Sequence, residues 1–165
     1  MFRRVDDFLT EWEYETRATT RVLRALTDDS LGFTVPGVRS IGRLAWHIVE
    51  TLTEMPETAG LPVGEAPAEA AAGRDAAAIA DAYEHAAAVV ARAVRESWTD
   101  AVLTETVPMY GQEWPRGTVL SVLIKHEAHH RGQLTVLMRQ AGLTVPGCYG
   151  PAREEWAAMG LPPME

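Results

Sequence analysis

Apolar side chains recur along this chain at the spacing of buried helix faces. Phe2, Val5, Phe8 or Leu9, Trp12, Val22 and Leu26 fall on one stripe and predict a first helix over residues 2–26. The stretch TDDSLGFTVPGVRS interrupts it with Asp, Ser, Gly and Pro, and Ser40 stands where it can cap a second helix. That helix is predicted from Ile41 to Glu57, with Ile41, Leu44, Ile48, Leu52 and Met55 on one side and His47 at the edge of that stripe. A third, rich in alanine, runs from Asp75 to Trp98 with Ile79, Tyr83, Ala87, Val90 and Val94 spaced for burial. The fourth starts near Gly117 or Thr118 and continues to Gln140, ending before Gly142.

The connections differ in character. AGLPVGEAPAEAAAG, residues 59–73, has no periodic apolar signal and reads as a long crossover loop. TETVPMYGQEWPRG, residues 104–117, breaks the helical rhythm, and its glycines and prolines predict a structured excursion. The tail after Gly142 reads as a loop with one short helix over 152–159. No convincing strand pair and no internal repeat is seen, so the prediction is an all-α helical bundle forming a single domain over residues 1–165.

Composition narrows the function classes. The 165 residues suffice for one domain, and no apolar run approaches the roughly 20 residues of a membrane span. The N-terminus carries acidic residues through what would be the apolar core of a signal peptide, so a cytoplasmic location is expected. The one cysteine, Cys148, has no intrachain disulfide partner, in keeping with a reducing compartment. Net charge is −8 and the basic residues are scattered, which argues against a nucleic-acid partner.

The candidate chemistry is concentrated in KHEAHHRGQL, residues 125–134, which holds three of the five histidines. His126 and His130 are four apart and point within roughly 40° of each other on a helix. Val119, Val122, Leu123, Gln133 and Leu137 share their sector, so the pair is expected to face the bundle interior. Two such imidazoles can share a metal ion, although the same spacing also occurs in exposed or hydrogen-bonded pairs. His47 is a hydrogen-bonded core residue or, if its helix lies beside the fourth, a third ligand that leaves further coordination positions open. His129 fits a supporting role and His85 a helix surface. Glu50 and Glu54 lie on the His47 side of their helix, where either can orient an imidazole or take a proton. Gln133 can hydrogen-bond an imidazole or a substrate. Glu127 points away and is expected to be solvated or paired with an arginine, and Arg131 to form a local salt bridge. The glutamate and histidine spacing alone allows a zincin protease, but no strand-rich region exists to bind a peptide.

Three stretches, SIGRLAWHIVE, MYGQEWPRGTVLSVLIKH and HEAHHRGQLTVLMRQAGLTVPGCYGP, together resemble the DinB/YfiT-like superfamily. The resemblance implies an up-down-down-up four-helix bundle, commonly a homodimer, with a divalent metal on His47, His126 and His130. Tyr149 in the YGP stretch matches the family's style and is expected to fold back over the bundle. Relatives include enzymes that use a low-molecular-weight thiol as cosubstrate and metal-dependent hydrolases. The leading expectation is therefore a metalloenzyme with a small-molecule substrate, using Zn or Ni to activate water or a thiol, with Glu50 and Gln133 as candidate catalytic groups. The alternative is a metal- or ligand-binding stress-response protein without turnover.

Overall fold

The computed structural model describes residues 1–65 and 74–162. Four long helices dominate them: α1 (Val5–Arg24), α2 (Ile41–Thr58), α3 (Ala76–Ser97) and α4 (Arg116–Gln140). Short 3-10 helices occupy Asp28–Ser30, Val102–Thr104 and Arg153–Met159. The helix starts follow capping chemistry. Ser40 accepts a hydrogen bond from the Arg43 amide at 3.2 Å, and Asp75 accepts one from the Ala78 amide at 3.0 Å. Of the crossover loop expected at 59–73, residues 66–73 lie outside the described residues.

Helix α1 packs on α3 and α4, and α2 packs on the same two helices from the other side. All four contribute to one apolar cluster, with Phe8, Trp12, Leu44, Ile48, Tyr83, Val90, Leu123 and Leu134 among its members. For the chemistry, the α2–α4 contact matters most, because it lays the middle of α2 beside the histidines of α4. At the other end of that contact, the Arg116 guanidinium donates to the Ala59 carbonyl at 3.0 Å. Among the described residues, no helix is long and apolar enough to cross a membrane.

The excursion before α4 corrects the expectation of no strand pair. Strands β1 (Thr106–Met109) and β2 (Gln112–Pro115) pair antiparallel, with Val107 opposite Trp114 and Met109 opposite Gln112. Pro108 obscures the signal in the sequence, yet it costs no ladder bond. Met109 and Gln112 close the turn, so alternation puts Pro108 in a non-hydrogen-bonded pair. Tyr110 and Gly111 make the turn with φ of 50° and 78°, the double positive φ of a two-residue hairpin loop. Val107 and Met109 are buried and fasten the hairpin to the body.

The segments before α1 and after α4 are both tied to the helices. The Phe2 amide donates to the Gly117 carbonyl at 3.0 Å, and a Cβ on Gly117 would lie 2.0 Å from the Phe2 carbonyl oxygen, so only glycine admits this approach. After α4 the chain returns across α1, where the Tyr14 hydroxyl donates to the Cys148 carbonyl at 3.1 Å and the two tyrosine rings, Tyr14 and Tyr149, stack at 6.2 Å.

Candidate metal centre

Helix α2 positions His47 by burying its neighbours: Trp46 and Ile48 are core residues, which leaves the imidazole at the helix edge facing α4. Helix α4 supplies His126 and His130 one turn apart. Ring centroids are 5.2 Å apart for His47 and His126, 4.7 Å for His47 and His130, and 4.4 Å for His126 and His130. Each residue offers one ring nitrogen such that all three atoms lie within 4.8 Å of one another.

The hydrogen bonds around the rings define which nitrogens are available. His130 Nδ1 lies 2.8 Å from Gln133 Oε1, and Gln133 Nε2 lies 3.0 Å from His129 Nε2. The consistent assignment has the His130 Nδ1–H donating to the amide oxygen and the amide nitrogen donating to His129. His130 Nε2 then carries a lone pair, and it faces His126 Nε2 at 3.1 Å. Two imidazole nitrogens bound to one ion at 2.0–2.1 Å, at angles from square to tetrahedral, stand roughly 2.9–3.4 Å apart. The observed separation fits such a shared ion.

Electrostatics favour neutral rings, the form that ligates. Burial lowers the pKa of His126 to about 4, reinforced by His130, His47, His129 and Arg39. Burial also lowers His130, with the Gln133 hydrogen bond opposing, and lowers His47, with Arg39 reinforcing and Glu50 opposing. All three shifts favour the uncharged imidazole, and each ring offers one nitrogen to the cluster.

The two candidate catalytic groups are placed differently. Gln133 is bonded to two imidazoles and fixes the His130 tautomer, the task of a group that orients a ligand. Glu50 accepts a hydrogen bond from Arg43 Nη1 at 2.9 Å and stands 3.7 Å from His47 Nδ1, at the rim of the cluster. Glu54 instead accepts from the Tyr110 hydroxyl at 3.1 Å, and His85 is an exposed residue of α3 outside the cluster.

Burial across the cluster is uneven: His130 is buried, as expected from the sector it shares with Leu123 and Leu137, and the other two rings are less so. His47 and His126 are half-buried where α2 meets α4, whereas Glu127 and Arg131, the next residues round α4, are each 1% exposed. Glu127, expected to be solvated or arginine-paired, lies within 3.7 Å of Arg131 and accepts from the Thr19 and Tyr83 hydroxyls at 2.5 and 2.6 Å. Arg131 donates to Glu15 Oε2 at 2.6 Å and to Thr19 Oγ1 at 2.7 Å, and also bonds the Tyr149 hydroxyl, which donates to Glu15 at 2.8 Å. Burial raises the Glu127 pKa, and burial beside Glu127 raises that of Tyr83. This network joins α1, α3, α4 and the returning tail on the face of α4 next to the one that carries His126 and His130. Periodicity and spacing in the sequence did not single out Glu15 and Thr19. Their signal was present: they fill the helical stripe between Trp12 and Val22, where a polar residue must be paired if buried.

Two cavities of about 610 and 630 Å³, one between α1 and α3 and one beside Asp28, Asp29 and Trp46, contain none of the histidines. Side-chain chemistry, rather than cavity volume, marks the site.

The model of the DinB family matches residues 1–164. The chain belongs to the DinB family. It is 46% identical over 163 residues to the uncharacterized protein YrdA of Bacillus subtilis (strain 168), covering 98% of this chain and 97% of that one. A solved DinB-like protein from Bacillus cereus ATCC 10987 is 41% identical and superposes with a TM-score of 0.84, covering 90% of this chain and 100% of that one. A second DinB-like protein, YjoA of Bacillus subtilis, is 19% identical with a TM-score of 0.66 over 86% of this chain and 96% of its own, a likeness of fold alone. The resemblance seen in the three sequence stretches thus extends to the whole chain as family membership, and the mostly helical fold is DinB-like.

Proposed function

We propose that this DinB-family chain is a metal-dependent enzyme acting on a small molecule, with a divalent ion, Zn or Ni, held by His47, His126 and His130. The observation that carries the reading is the gathering of three imidazole nitrogens within 4.8 Å of one another, with His130 Nδ1 bonded to Gln133. A divalent ion bound there supplies Lewis acidity that holds water or a low-molecular-weight thiol in its anionic form near neutral pH.

The chain's own residues do the rest. Three protein ligands leave coordination positions open, and the partial exposure of His47 and His126 gives a small molecule access to them. Glu50, at the His47 edge, takes the proton released by the nucleophile, with Arg43 holding its carboxylate in place. Gln133 keeps His130 oriented. We read the four helices as the up-down-down-up bundle that the resemblance implies, working as a homodimer in the cytoplasm.

The test offers Zn- and Ni-loaded protein two assays: a low-molecular-weight thiol with chlorodinitrobenzene, and p-nitrophenyl acetate alone. Metal-dependent turnover in one of them, reduced at least about 100-fold in His47→Ala, is the expected result. Turnover by metal-free protein and by His47→Ala that equals that of the metal-loaded protein would overturn the reading.

A further inference from the structure

The hairpin carries chemistry that the histidine cluster does not use. Tyr110 at its tip adopts a φ of 50°, a left-handed conformation that a residue with a Cβ keeps only when its surroundings hold it there. The two-residue loop requires it, and two contacts position the side chain. Its hydroxyl donates to Glu54 Oε1 at 3.1 Å, and its ring meets that of Trp114 at 5.8 Å with planes 67° apart. Tyr110 nevertheless stays 60% exposed. The turn therefore presents an aromatic ring beside a carboxylate rather than burying it. Glu54 has no Lys, Arg or His partner among the described residues, and its second oxygen is free to accept.

The position relative to the histidines follows from helix geometry. Glu54 is seven residues beyond His47, so the two side chains point within roughly 20° of each other and stand roughly 10 Å apart along α2. The hairpin runs directly into α4, and Tyr110 bridges from its tip to Glu54 on α2, the helix that carries His47.

We propose that Tyr110, Trp114 and Glu54 form a recognition subsite for an organic cation, an ammonium group at the far end of a substrate whose reactive end lies at the histidines. Two aromatic rings set at a steep angle offer π faces to a cation, and a carboxylate with an open oxygen completes the partial cage. A net charge of −8 draws cations toward the protein in the same sense. An anionic end meets repulsion from Glu54, and an apolar end strips water from that carboxylate without replacing it. The placement of the reactive end rests on the proposed function; the cation site rests on the hairpin and α2 alone.

The test keeps the two separable. In the first arm, metal-free protein is titrated with tetramethylammonium while the indole N–H of Trp114 is followed by NMR. A saturable shift that is lost in Glu54→Gln and weakened in Tyr110→Leu is expected. In the second arm, Co²⁺-loaded protein is titrated with hexanethiol, amino-hexanethiol and mercaptohexanoate, and the thiolate-to-cobalt absorption is read. Amino-hexanethiol should bind about tenfold more tightly than hexanethiol, and Glu54→Gln should abolish that preference without changing hexanethiol affinity. No tetramethylammonium response, or an amine preference that survives Glu54→Gln, overturns the subsite. Failure of cobalt to load contradicts the metal reading and leaves the first arm to decide the subsite.

Discussion

At the scale of single residues, the centre depends on which nitrogen of each ring carries the proton. Gln133 determines this for His130 by accepting from Nδ1, and Nε2 is thereby committed to the side where His126 Nε2 stands 3.1 Å away. Gln133→Leu keeps the shape but frees the tautomer, so metal affinity should fall about 10- to 100-fold with helicity unchanged, read by competition against a chromophoric chelator. An unchanged affinity would show that the amide is a bystander. The ligand candidates were legible because histidines four apart on a helix share a face whatever surrounds them. For Glu127 the arginine-paired alternative holds, at 3.7 Å from Arg131, and the solvated one does not. Its direction on the helix was right, but direction alone does not say whether a neighbouring helix fills that space, and here the Thr19 and Tyr83 hydroxyls do.

Among the elements, the four long helices were legible nearly to their ends, because apolar periodicity, Ser40 and Asp75 as caps, and Gly142 after α4 all agree. The hairpin was not, since a proline inside a four-residue strand and a tyrosine in the turn hide the usual cues. The tail is held by a carboxylate whose contribution depends on pH. Glu155 accepts from the Gly147 and Ala152 amides at 3.0 and 2.8 Å, and these two bonds hold its pKa below the ordinary value of 4.5. A carboxyl lowered in the folded state contributes stability that is complete above 4.5 and is lost as pH falls through the lowered value. Hydrogen exchange at the Gly147 and Ala152 amides, corrected for intrinsic rates, should therefore lose protection below that pH, while Glu155→Gln should show weakened protection already at neutral pH. Equal protection in both proteins across this range would sink the assignment.

For the whole molecule, the arrangement divides labour between two faces of α4. One face carries Glu127 and Arg131 into a buried network with α1, α3 and the tail, and the next carries His126 and His130 to α2. Buried charge adds little net stability against an apolar core, but removing one partner of such a network is costly, so it enforces one rotation of the helix. The sequence alone could not reveal this division, because it arises from which helices become neighbours. The central claim is that this rotation builds a metal site, and metal content measures it most directly. Untagged protein, purified without added metal or chelator and analysed by inductively coupled plasma mass spectrometry, should carry close to one divalent ion per chain, and His126→Ala should carry almost none. A chain that is metal-free as purified and takes up neither Zn²⁺ nor Ni²⁺ when they are supplied would contradict the account.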